Sequence, residues 1–231
     1  TGNMPELPGH KFADEYIRED YSDGKAILKL VRSNGIEGIV SCANDFGAIT
    51  ASYVCEAMGW KGQDSYANTV MMHNKDLLRK YFIKKGFPTP ESEIFSDFES
   101  AETYCRSCNY PVIVKPNDLT GGKGVNKAYD HESAVKALKT AFSMSRKKVV
   151  LVEEYLDGTQ QSIVVFLVNK KIAVTSSSNI YCMRNPYLVQ AETYPATDFE
   201  VVESQLDEII LEMAEDLDHA DGIFSFQYFV K

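Results

Sequence analysis

Short apolar runs bounded by turn residues alternate along this chain with stretches of helical spacing. Val112, Ile113 and Val114 lie between Pro111 and Lys115, which is the pattern of a short buried strand. Lys148–Glu154 reads the same way, with Val149 to Val152 apolar and two carboxylates, Glu153 and Glu154, at its mouth. Val125–Tyr129 alternates as a strand does. Ser162–Val168 and Lys171–Ser178 read as a hairpin turning at Asn169–Lys170, and Ile223–Val230 as a last strand after Asp221–Gly222. Ile36–Cys42 has the composition of a further buried strand.

Helical spacing fills the intervals. Asp23 can cap a helix carrying Ile27, Leu28 and Val31, which ends near Gly35. Gly47–Met58 is small and apolar on several faces, as suits a helix packed closely on a strand, and Gly59 stops it. Asn74 can cap a helix with Leu77, Leu78, Tyr81 and Phe82 on its core face, ended by Gly86 and Pro88. Ser96 with Glu99, and Thr197 with Glu200, form capping boxes for two more. The first of these runs to about Ser107; the second carries Leu206, Ile209, Ile210, Met213 and Leu217. Asp130 caps a helix with Ala134, Ala137, Leu138, Ala141 and Phe142 on one face. This alternation predicts an α/β protein. Residues 1–20 offer no convincing strand, so the first strand of an opening α/β unit is expected to be missing.

Composition narrows the function classes. At 231 residues the chain can bury a good core, in one large or two small domains. Its net charge of −9 argues against a nucleic-acid or membrane-surface partner. No apolar run is long enough to span a bilayer, and no signal peptide is visible. Five scattered cysteines suit a reducing cytoplasm. Cys105 and Cys108 form a lone C-x-x-C without a second ligand pair, so packing as small hydrophobes is the expectation there.

The chemistry concentrates in PVIVKPNDLTGGKGV, residues 111–125. Lys115 stands at the mouth of a buried strand, where an ammonium is costly unless an anion meets it. Gly121, Gly122, Lys123 and Gly124 follow; glycines let backbone N–H groups converge into a nest for phosphate oxygens. A plain hairpin is the competing reading. The loop is not a Walker A loop, because Gly124 follows Lys123 where Ser or Thr is needed. It is not a dinucleotide fingerprint, because a strand pattern rather than a helix follows it. Lys75 sits in a first helical turn, where the helix dipole disfavours a cation unless an anion docks there.

Taken in order, these pieces resemble the ATP-grasp superfamily over nearly the whole chain. NKDLLRKYFIKKGFPTPES looks like its entry helix and the turn after it. VIVKPNDLTGGKGV looks like its lysine strand and phosphate loop, VLVEEYLDGTQQSIVVF like its adenine-binding hinge, and GIFSFQYFV like its first metal-ligand strand. Carbamoyl-phosphate-synthase large-subunit-like proteins, including short stand-alone ones, are the nearest type, because they can use glutamine at the Gln227 position. The resemblance implies a truncated, nucleotide-like preATP-grasp domain over residues 1–72 and an ATP-grasp domain over 73–231. The latter would comprise a small subdomain at 108–155 and an incomplete C-terminal one at 156–231.

For the site, the resemblance implies that Lys75 and Lys115 hold phosphates, with the loop of Gly121, Gly122, Lys123 and Gly124 closing over them. Glu153 would meet the adenine amino group. The hinge Glu154, Tyr155 and Leu156 would read the adenine edge, with Ile113 and Phe229 flanking the ring. Gln160 stands where a ribose-binding glutamate is usual, and Gln227 would ligate Mg2+, or Mn2+ in its place. The remaining metal ligands are expected beyond Lys231, so the polypeptide as given is expected to be inactive alone. Arg184 is a candidate for the acid substrate or the transferring phosphoryl group. The implied activity is ATP-dependent activation of a carboxylate or bicarbonate as an acyl phosphate for attack by an amine. The alternative is an ATP-binding module without turnover. Small-molecule partners follow, and a homodimer is among the assemblies allowed.

Overall fold

The computed structural model of the protein describes residues 1–41, 44–219 and 221–230. They divide into two compact units, Thr1–His73 and Asn74–Lys231. In the first unit, α1 (Gly24–Ser33), α2 (Asp45–Met58) and α3 (Tyr66–His73) are the α-helices. Asp23 caps α1 by accepting from the Ala26 amide, and Gly59 ends α2 in the left-handed conformation, as the sequence predicts. Ile27, Val31 and Val54 form its core. The strand predicted at Ile36–Cys42 does not form. Over residues 36–41 the chain joins no ladder, and Cys42 lies outside the described residues. A strand needs a neighbour to take its N–H and C=O groups, and Val40 is 82% exposed rather than buried on a sheet.

The second unit opens with α4 (Lys75–Lys85), closed by Gly86 at φ 72°. A four-stranded antiparallel sheet follows: β1 (Ser92–Phe95), β2 (Val112–Pro116), β3 (Asn126–Ala128) and β4 (Val150–Glu154), in the order β1-β4-β2-β3. Helices α5 (Phe98–Cys105) and α6 (His131–Met144) cover one face. Val112, Val114, Val150 and Val152 pack there against Ala101, Cys105, Ala134, Leu138 and Ala141. Asp130 caps α6 in a box with Ser133. The cap of α5 is Asp97, one residue after Ser96; its carboxylate accepts from the Ser100 amide at 2.8 Å, and the helix ends at Cys105.

The second sheet comprises β5 (Thr159–Val168), β6 (Lys171–Tyr181), β7 (Ala191–Thr193) and β8 (Gly222–Val230), ordered β7-β6-β5-β8. Asn169 and Lys170 turn the β5–β6 hairpin with φ of 50° and 58°, both in the left-handed region of a type I′ turn. Helix α7 (Glu203–Asp216) covers its inner face, where Ile163, Val165, Leu167 and Phe224 meet Ile210 and Met213; Tyr81 and Phe82 of α4 pack against this core. Thr197 does not cap α7. Its amide and hydroxyl are taken by Asn179 at 3.1 and 3.2 Å, and a 3-10 turn, Phe199–Val201, comes before the helix. Strands β1 and β7 and helix α3 are short elements that the hydrophobic pattern did not announce.

Candidate functional site

Strand alternation separates two faces of β2. Val112 and Val114 enter the helix-covered core, so Ile113 and Lys115 point to the other side. Register places Ile113 opposite Glu153 of β4 and Lys127 of β3. The Lys115 ammonium forms an ion pair with Glu153 Oε2, and Arg79 Nε of α4 donates to Glu153 Oε1 at 2.9 Å. Lys75, the first residue of α4, donates through Nζ to the carbonyls of Leu119 at 2.5 Å and Asn117 at 3.3 Å. Lys75, Lys115 and Glu153, predicted from distant parts of the chain, therefore converge. Arg79 joins them unpredicted, although its spacing four residues after Lys75 puts it on the same helix face.

Two cations, Lys115 and Arg79, thus pair with one carboxylate, and Lys75 stands near enough to feel its charge. Glu153 is only 4% exposed; burial pushes its carboxyl up, but Lys115 and Arg79 overcome that and hold it below the usual range. Lys115 is lowered by burial, with Glu153 opposing. Lys75 is brought down to about 8, first by burial and then by the Lys115 charge. A buried ammonium depressed by burial and by a neighbouring cation marks a place where an added anion is stabilising. Each Glu153 oxygen meets one of these cations, and a carboxylate's about four lone-pair sites leave acceptor capacity for the adenine amino group that the resemblance implies.

Gly121, Gly122 and Gly124 have φ of 65°, 68° and 73°, a region that side chains other than glycine's enter at a cost. The segment 117–125 does join antiparallel neighbours, but it is longer than the roughly two to five residues of ordinary hairpin loops. A Cβ at Gly122 would lie 2.5 Å from the Tyr187 carbonyl oxygen. The Tyr187 hydroxyl also accepts from the Lys127 amide at 2.8 Å. The glycine loop is therefore braced by the irregular 182–190 segment, a contact between sequence-distant loops that no local pattern reveals. Lys123 is exposed on the loop.

At the hinge, the Glu154 amide donates to the Glu91 carbonyl at 2.9 Å, so its carbonyl is what remains for an adenine edge. Tyr155 lies under the Lys127 ammonium, 3.2 Å from Nζ to the ring centroid, and Leu156 is half-buried. On the outer face of the second sheet, Gln160 Nε2 donates to Gln227 Oε1 at 3.4 Å, and Phe229 is opposite Gln160. Sequence reasoning missed the file beside them. The Ser162 and Ser178 hydroxyls lie 2.8 Å apart, Ser178 donates to Glu192 at 2.7 Å, and Tyr194 donates to the same oxygen. Arg184 is exposed, its amide held by Gln190 at 2.6 Å, and its side chain is not drawn into the lysine cluster. Cys105 is fully buried, its thiol pushed up to about 12 by burial, while Cys108 donates to its carbonyl. Among the described residues no His, Cys, Asp and Glu group is arranged for a metal, and no helix is long and apolar enough to cross a membrane.

Comparison with known proteins bears on this geometry. Residues 73–182 match the family described as phosphoribosylglycinamide synthetase, ATP-grasp (A) domain. The phosphoribosylamine–glycine ligase of Lactococcus lactis is 38% identical over 99 residues, covering 43% of this chain and 24% of that protein. The Clostridium acetobutylicum enzyme of the same name is 37% identical over 110 residues, 46% and 25% respectively. The chain thus spans about a quarter of the length of these relatives. Among solved structures, the biotin carboxylase domain of Hydrogenobacter thermophilus 2-oxoglutarate carboxylase superposes with a TM-score of 0.75 at 17% identity, over 96% of this chain and 52% of that one. That domain was crystallised with MgADP and bicarbonate. An L-amino acid ligase from Bacillus licheniformis gives 0.73 at 17% identity, over 90% and 50%. These likenesses show a shared fold.

Proposed function

We propose that this chain, whose residues 73–182 match an ATP-grasp domain family, binds Mg-ATP against the Lys75–Lys115 face and serves in ATP-dependent joining of a carboxylate to an amine. The observation that carries this reading is the gathering of three cations, Lys75, Arg79 and Lys115, where Glu153 pairs with the last two and Asp118 is the further carboxylate acting on Lys75. That surplus of buried positive charge suits a polyphosphate. The γ-phosphoryl group would pass from ATP to a carboxylate oxygen, leaving ADP. The amine would then attack the acyl carbon and release phosphate. Lys75 and Lys115 would hold phosphate oxygens in line, and the loop at Gly121, Gly122 and Gly124 would exclude water. Ile113 and Phe229 would flank the adenine, with the Glu154 carbonyl and the Leu156 backbone at its edge. Gln160 would contact the ribose.

The oxygen donor chemistry of Gln227 fits a hard cation. Bound there, Mg2+ (or Mn2+) would neutralise charge on the phosphates. The sequence relatives, ligases named for glycine, favour an amino-acid carboxylate; the bicarbonate reading rests on Gln227 alone. One observation favours a second reading, a nucleotide-binding module without turnover: the Gln227 oxygen that a metal would take already accepts from Gln160 Nε2 at 3.4 Å. Phosphate release from Mg-ATP by the full-length protein, measured with a panel of amino acids and bicarbonate, separates the two. Release stimulated by one carboxylate is the expected result for the ligase. ATP binding without release under any combination supports the module.

A further inference from the structure

We propose that Asn117, paired with Asp76, is a positioning residue for Lys75, fixing where its ammonium stands before any nucleotide arrives. The proposal deepens the ATP-site reading and rests on it for the role of Lys75.

A lysine side chain has four flexible bonds and is a poor instrument for directed contact unless its surroundings fix it. Here the fixing is built from the turn after β2. The Asn117 amide donates to the Val149 carbonyl at 3.0 Å, which ties this residue to the sheet just past the β2–β4 ladder. Its side chain is 2% exposed and makes a reciprocal pair with the next residue of α4 after Lys75. The Asp76 amide donates to Asn117 Oδ1 at 2.9 Å, and Asn117 Nδ2 donates to Asp76 Oδ1 at 2.7 Å. The Asn117 main-chain carbonyl and that of Leu119 then accept from Lys75 Nζ. An ammonium has three N–H donors; two are spent on these carbonyls and one is left to be aimed.

The residues on either side are held in the same manner. Asn74 stands at the N-cap position of α4 but makes no side-chain cap; its Oδ1 accepts from Lys147 Nζ at 2.9 Å. Asp118, also 2% exposed, accepts from the Ser145 hydroxyl at 2.9 Å and the Lys147 amide at 3.1 Å. Three consecutive residues at the start of α4 are thus bound to the β2 turn and the α6–β4 turn. Such a buried network, fully paired, holds geometry tightly and loses it when one member is removed. Lys75 is kept close enough to Lys115 for the two charges to oppose each other, in agreement with its lowered titration.

The test is a double-mutant cycle read by calorimetric titration with Mg-ATP. Asn117→Ala is expected to weaken binding about tenfold in the wild-type background and less than about twofold in the Lys75→Ala background. The exchanged pair D76N/N117D keeps both hydrogen bonds with the donor and acceptor side chains reversed, and it should return affinity to within about threefold of wild type. Equal weakening by Asn117→Ala in both backgrounds would overturn the proposal, since a residue serving only general folding acts whether or not Lys75 is present. A second readout needs no ligand: NMR titration of the lysine Cε and Nζ signals in the 13C,15N-labelled, unmodified free protein. Asn117→Ala should move the Lys75 titration upward and D76N/N117D should return it. No movement of that titration contradicts positioning, whatever the nucleotide result. Absence of Mg-ATP binding by the wild type, with the Lys75 titration moved as expected, would instead sink the nucleotide reading and leave the positioning intact.

Discussion

Glu153→Ala lowers the unfolding free energy of the 74–231 unit by about 3–5 kcal/mol, the cost of leaving a buried charge without its partner. Glu153 is 4% exposed and is the shared counter-ion of Lys115 and Arg79, whose side chains are 14% and 19% exposed. Removing it leaves two cations facing one another beside Lys75. In the wild type, the carboxyl is held below its usual range, so its stabilisation is full above the unfolded carboxylate pKa and fades as pH falls through the lowered value. In the variant the sign reverses for the lysines. An unpaired buried Lys115 sheds its proton more readily than the unfolded chain does, so the deficit shrinks as pH rises. Urea denaturation from about pH 3 to pH 9 checks both statements. A loss below about 1 kcal/mol would mean that the ion pairs are screened by solvent in solution.

Lys115→Ala has the opposite division of effects. Glu153 keeps its 2.9 Å contact with Arg79, so the unit stays folded, while Mg-ATP affinity falls about a hundredfold. That figure is the worth of about 2–3 kcal/mol for one charge-assisted contact in a largely desolvated site. The same substitution removes the charge that helps depress Lys75, so Lys75 should titrate closer to its ordinary value. Unchanged affinity in a folded Lys115→Ala protein would show that the phosphates lie elsewhere.

The parts of this site legible in the sequence were those written in local pattern. An apolar run ending in Lys115, a cluster of glycines, and carboxylates closing another apolar run each carry their chemistry within a few residues. Lys75 was visible as a cation at a helix start, where the dipole opposes it. The hairpin at Asn169–Lys170 and the stops at Gly59 and Gly86 were equally local. What the sequence did not show depends on partners brought together by folding. Asn117 reads as an ordinary turn residue until Asp76 is found opposite it. Ser162, Ser178 and Glu192 come from three strands and form a file only through register. The charge partners of Glu153, Arg79 and Lys115, lie tens of positions away and cannot be read along the chain. Ile36–Ser41 failed as a strand for the converse reason: the composition is there and the neighbour to pair with is not.

Calorimetric titration of Mg-ATP at pH 8, run in two buffers of different ionisation enthalpy, tests the central claim most directly. Burial and the Lys115 charge bring Lys75 down to about 8, so part of its population is deprotonated near that pH. A polyphosphate beside it raises its pKa, so binding takes up a fraction of a proton from the buffer, and the uptake declines towards about pH 6.5, where Lys75 is largely charged. The account predicts binding with that proton uptake. Absence of binding heat in both buffers, or binding with no proton exchanged at pH 8, would contradict the assignment of the Lys75–Lys115 face as the nucleotide phosphate site.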